Sequence, residues 1–235
     1  MTTTIHHGMM TSLCSMSTQR GLRILALHSF RTSGLIFEKQ LRISGLYTVL
    51  TEELKAELTF VNAPRKASGP IPQDVLMAFP SDAYYEWWNA TLDEEKNTWH
   101  YDHCDESLEY LHHVWEEHGG FDGIVGFSQG GAIAALFAAM MVRRGSPPRF
   151  IICISGIKVR DGRFDAYYKA IADLPSAHIV GQHDPVKILT NRLVKCFASP
   201  VVLTHDRGHV VPRLHPDMST TLKNFIAMHG MSSRI

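Results

Sequence analysis

The chain has 235 residues, 45% hydrophobic and 20% charged, enough to bury one sizeable core and too apolar for a disordered or fibrous chain. Twenty-three Lys and Arg balance 23 Asp and Glu, so no whole-chain field gathers polyanions, which argues against nucleic acid as a partner. Cys14, Cys104, Cys153 and Cys196 are widely spaced, so neither a disulfide framework nor a zinc site is expected and a reducing, cytoplasmic setting fits.

Residues 1–20 are rich in Ser, Thr and Met and carry no acid. They read as a disordered leader or, given Arg20, Arg23, Arg31 and no acid before Glu38, as an organellar transit peptide. No apolar run approaches the ~20 residues of a membrane span.

Residues 21–230 read as a single α/β domain, with 231–235 as a tail, because short apolar runs alternate with longer amphipathic ones. The runs Leu22 to Leu27, Leu58 to Val61, Gly123 to Gly126, Phe150 to Ile154, His178 to Gly181 and Val201 to Thr204 predict six strands, apolar enough to be buried on both faces of a mainly parallel sheet. Apolar residues at three- and four-residue spacing predict helices over Gly34 to Leu54, Glu106 to Glu117, Gly130 to Arg144, Val186 to Cys196 and Met218 to His229. Four prolines between Pro64 and Pro80 open an irregular insert reaching about Asp102, the kind of segment that serves as a lid or functional loop.

The charge balance is uneven. Residues 82–122 hold twelve acids and one lysine, a net −11 offset by +11 elsewhere, together with all four tryptophans. Tyr84, Tyr85, Trp87 and Trp88 then have two readings, local core or a wall facing substrate.

The strongest local signal is Gly126-Phe127-Ser128-Gln129-Gly130, a G-x-S-x-G between a strand and an apolar helix. That context puts a serine on a sharp, strained turn at the sheet's carboxyl edge. Such a serine needs a base and an orienting carboxylate, expected later in the chain in the order Ser, Asp, His. Asp184 follows a strand end, whereas Asp173 precedes its strand and Asp206 shares the histidine's loop. His209 follows Gly208, whose bend can aim an imidazole across the sheet edge, and is preferred over His205. His112, His113 and His118 read as a solvated helix face without metal-binding spacing. The backbone N–H groups of Gln129 and of Phe30, in the turn after the first strand, are the candidate oxyanion donors.

On Leu27-His28-Ser29-Phe30, on Asp122 through Gly130, on Gly181-Gln182-His183-Asp184 and on Gly208-His209-Val210-Val211-Pro212, the sequence over about residues 21–228 resembles a family of serine hydrolases in the α/β-hydrolase superfamily, the group that includes the ovarian-cancer-associated hydrolase and its fungal relatives. The resemblance implies a triad of Ser128, Asp184 and His209, esterase or thioesterase activity on small acyl substrates, no metal or organic cofactor, and a Trp-rich insert flanking the acyl pocket. His28, Ser29, Trp87, Trp88 and Val210 are the pocket candidates. Ser29 stands where the family usually carries glycine, so its side chain narrows the oxyanion loop or adds a hydroxyl donor. The competing readings are a binding protein of the same fold without turnover, and a triad serving acyl transfer or peptide cleavage. A monomer or a homodimer is compatible with the sequence.

Overall fold

The computed structural model describes residues 21–81 and 83–230; the leader and tail readings, and Asp82, lie outside the described residues. In chain order the elements are β1 (Arg23–Leu27), α1 (Gly34–Ser44), α2 (Leu46–Thr48) running into a π-helical turn (Val49–Glu53), β2 (Glu57–Val61), β3 (Arg65–Lys66), α3 (Gln73–Ala78), β4 (Tyr85–Glu86), β5 (Asn89–Asp93), β6 (Thr98–Asp102), α4 (Cys104–Glu117), β7 (Gly123–Phe127), α5 (Gln129–Arg143), β8 (Phe150–Ile154), a 3-10 turn (Gly162–Phe164) before α6 (Asp165–Ala170), β9 (Ser176–Gly181), α7 (Lys187–Val194), β10 (Val201–His205) and α8 (Pro216–Gly230).

Six strands form one sheet in the order β10-β9-β8-β7-β1-β2, and every pairing in it is parallel. Successive side chains alternate between two cores, as strand geometry requires. Leu25, Leu27, Ile124, Ile151 and Cys153 pack with α4, α5 and α6. Ile24, Ala26, Val125, Phe127, Ile152 and Ile154 pack with α1 and α8. The edge strands β2 and β10 are only partly buried, the expected exception to burial on both faces. Helix α5 is buried from Gln129 through Met141, which explains why its sequence is apolar on every side.

The continuous helix expected from Gly34 to Leu54 is broken at Gly45, which takes φ +83 and caps α1 by donating its N–H to the Arg42 carbonyl. The insert is irregular only in part. It contains α3 and two antiparallel ribbons, β3 with β4 and β5 with β6, its prolines lying outside these elements.

The chain runs from β1 out to β2 and returns on the other side of β1 as β7. Loops leaving the carboxyl ends of β1 and β7 therefore diverge at the point where strand order reverses, the place where open α/β sheets form a ligand crevice.

Candidate active site

Ser128 joins β7 to α5 with φ 55 and ψ −113, a strained conformation for a residue with a side chain. Its N–H donates to the Ile154 carbonyl at 2.9 Å, and its carbonyl accepts the Ala132 N–H at 3.0 Å. The turn closes this tightly because a Cβ on Gly126 would strike the Gly130 carbonyl and one on Gly130 the Leu27 carbonyl.

The loops after β9 and β10 are tied together by the His183 ring, whose Nδ1 lies 2.7 Å from the Asp206 carbonyl. That tie brings Asp184 beside His209. His209 Nδ1 lies 2.8 Å from Asp184 Oδ2, and its Nε2 lies 2.8 Å from Ser128 Oγ. With the proton on Nδ1, the ring donates to the carboxylate and accepts from the hydroxyl. Burial pushes the Asp184 carboxyl up, but the Ser155 hydroxyl, the His209 ring and the Val186 N–H outweigh it and hold the acid below its ordinary range. The Val186 N–H donates to Oδ1 at 2.8 Å. The buried Ser155 hydroxyl lies beside the carboxylate. Asp173 and Asp206 are exposed, and His205 is buried outside the lining of the cavity over Ser128, with its Nε2 unpaired.

Gln129 opens α5, where backbone N–H groups point outward without helical acceptors. Phe30 sits in the turn after β1. Among the described residues neither N–H has a hydrogen-bond acceptor.

A cavity of about 520 Å³ opens over Ser128 and His209, lined by Phe30, Val75, Phe79, Phe127 and Val211 among other, mainly apolar, groups. Of the pocket candidates, Ser29 and Val210 line it, and His28, Trp87 and Trp88 do not. His28 is fully buried, its Nδ1 facing the Ser29 carbonyl at 2.7 Å and its Nε2 accepting the Ala63 N–H at 2.9 Å. Burial lowers its pKa to about 4, so it is a neutral strut. Trp87 and Trp88 are buried in the core beneath α4 and α5, with Trp88 stacked on Tyr101 at 5.2 Å. Their large apolar area explains the choice of core over cavity wall. The wall comes instead from α3 and its flank, through Val75, Ala78 and Phe79, and from Gln40 and Ile43 of α1. A spacing of three and four residues in Val75, Ala78 and Phe79 was the available signal for that wall. Among the described residues no group of acids, histidines and cysteines could hold a metal ion.

Residues 16–221 match the family described as Serine hydrolase (FSH1). The chain belongs to this serine hydrolase family. Relatives similar to it include proteins named esterase from Homo sapiens, 31% identical over 232 residues covering 88% of this chain and 97% of that one, and from Bos taurus, 32% identical over 237 residues covering 88% and 97%. A Schizosaccharomyces pombe protein named dihydrofolate reductase is 30% identical over 208 residues, which is 82% of this chain and 44% of that one; the chain thus spans under half of that relative. Among solved structures, Zea mays acyl-protein thioesterase 2 shares the fold with a TM-score of 0.60 at 16% identity, covering 91% of this chain and 95% of that one. The serine hydrolase assignment and the α/β-hydrolase sheet agree, and no helix among the described residues is long and apolar enough to cross a membrane.

Proposed function

We propose that this serine hydrolase cleaves carboxylic esters or thioesters of neutral, apolar acids through an acyl-enzyme on Ser128. The observation that carries the reading is the hydrogen-bonded chain from Ser128 through His209 to Asp184 at the floor of an apolar cavity. The esterase names of the human and bovine relatives support the bond class.

Ser128 Oγ attacks the acyl carbon as His209 Nε2 takes its proton. Asp184 holds the Nδ1–H tautomer and stabilises the imidazolium that forms. The N–H groups of Phe30 and Gln129 receive the carbonyl oxygen as it becomes an oxyanion. His209 then protonates the leaving alcohol or thiol, and the acyl group remains on Ser128. A water that gives its proton to His209 attacks the acyl-enzyme, the acid departs, and Ser128 regains its proton.

One chain supplies all of these groups, so the mechanism calls for no partner subunit, metal or cofactor. The free thiols Cys104, Cys153 and Cys196, the first two buried, fit a cytoplasmic enzyme. Hydrolysis of p-nitrophenyl esters of graded chain length by the parent protein and by Ser128→Ala tests the reading. The expected loss of kcat is about 10⁴- to 10⁶-fold. A variant that keeps nearly all its activity overturns the assignment.

A further inference from the structure

The buried tryptophan segment that the cavity leaves unused joins the two loops that frame Ser128. The Trp87 indole Nε1 donates to the His28 carbonyl at 2.9 Å, and the ring lies against the His28 imidazole at 5.1 Å between centroids. On its other side the Trp87 backbone N–H donates to Gln129 Oε1 at 3.0 Å. Gln129 Nε2 donates back to the Trp88 carbonyl at 2.8 Å. Just upstream, the Tyr85 N–H donates to the Thr32 carbonyl at 2.7 Å, and Arg31 Nε donates to the buried Glu86 carboxylate at 2.9 Å. Residues 85–88 are therefore bonded to the loop after β1 and to the residue that follows the nucleophile.

We propose that this segment is a splint that fixes the separation of the Phe30 and Gln129 N–H groups, with the Trp87 indole and the Gln129 carboxamide as positioning residues. The proposal rests on the reading above, in which those two N–H groups hold the oxyanion. The reason a splint is needed lies in the sheet. The β1–β7 ladder ends at the pair Leu27 and Gly126, so beyond it the sheet no longer sets the distance between the two turns. Both turns contain a non-glycine residue at positive φ, Arg31 at 52 and Ser128 at 55, and depend on their surroundings to stay in that shape. Two donors help a developing oxyanion only when both stay within hydrogen-bond range of one atom. Loosening their separation weakens transition-state binding and leaves ground-state binding of the acyl chain in the cavity alone.

Trp87→Phe removes the indole donor and Gln129→Met removes both carboxamide bonds at similar volume. The measurement is kcat and KM on a p-nitrophenyl ester, with the affinity of a trifluoromethyl ketone, whose adduct on Ser128 carries an oxyanion, set beside that of the matching unreactive methyl ether. Each variant is expected to lose kcat by about ten- to one hundredfold with KM within about twofold, and trifluoromethyl ketone affinity is expected to fall in parallel while ether affinity holds. Gln129→Met decides the matter alone if Trp87→Phe does not fold. The proposal is overturned if kcat stays within about twofold of the parent, or if kcat falls with the trifluoromethyl ketone affinity unchanged. These outcomes are distinct from a failure of the underlying reading, which would show as an active Ser128→Ala protein.

Discussion

At the scale of single residues, the site depends on groups held in forms they would not choose alone. Asp184 is buried, which disfavours its charge, yet His209, Ser155 and the Val186 N–H hold it ionised. Asp184→Asn keeps the shape but offers an amide to Nδ1, which favours the wrong imidazole tautomer. The expected result is a loss of about 10⁴-fold in kcat with KM little changed, read by steady-state kinetics at neutral pH; a loss below about tenfold would remove Asp184 from the mechanism. Ser128, Asp184 and His209 were legible in the sequence because G-x-S-x-G followed a strand and the other two followed later strands. Ser155 was not, since a serine at a strand end carries no signal until the fold brings β8 between the strands bearing Ser128 and leading to Asp184.

At the scale of elements, α3 makes the wall of the cavity although none of its residues is buried, so its apolar side chains serve the cavity more than the core. Phe79, at its carboxyl end, fills part of that wall. Phe79→Ala widens the cavity, and KM for an octanoate ester is expected to rise about tenfold, from the loss of roughly 1.5 kcal/mol of apolar burial, with the acetate ester little affected. Equal changes for both esters would place the acyl chain elsewhere. The six strands of the main sheet were legible to within a residue or two at each end, the central four because two-sided burial leaves uninterrupted apolar runs, whereas the short strands β3 to β6 of the insert were not. Order in the insert was masked by its prolines; of the two readings of Trp87 and Trp88 the core one holds, and the wall is made by Val75 and Phe79, whose helical spacing is the weaker signal.

At the scale of the whole molecule, the −11 stretch meets arginines from outside it: Arg65 with Glu106, Arg144 with Glu109, and Arg163 with Asp105. These pairs disperse the charge that the sequence concentrates, and the carboxylate lining the cavity is Asp74. Neutral esters are expected to outperform polyphosphorylated thioesters, and Asp74→Asn should lower KM for the anionic substrate a few-fold at low salt, an effect that fades as salt rises. An unchanged or higher KM for the anionic substrate contradicts that role. Two fully buried histidines set the acid side of stability. His28 and His178 are lowered by burial from 6.5 to about 4, so between pH 6.5 and 4 the unfolded chain binds protons that the folded one does not. Stability is therefore full above that window and falls through it by about 3 kcal/mol per histidine; a flat denaturation midpoint from pH 7 to 4.5 would contradict it. The most direct test of the central claim is to acid-quench the enzyme during turnover of a p-nitrophenyl ester and locate the acyl group by peptide mass. The mechanism predicts an acyl adduct on Ser128, absent in Ser128→Ala together with turnover; turnover with the acyl group on another residue, or an active Ser128→Ala protein, would contradict it.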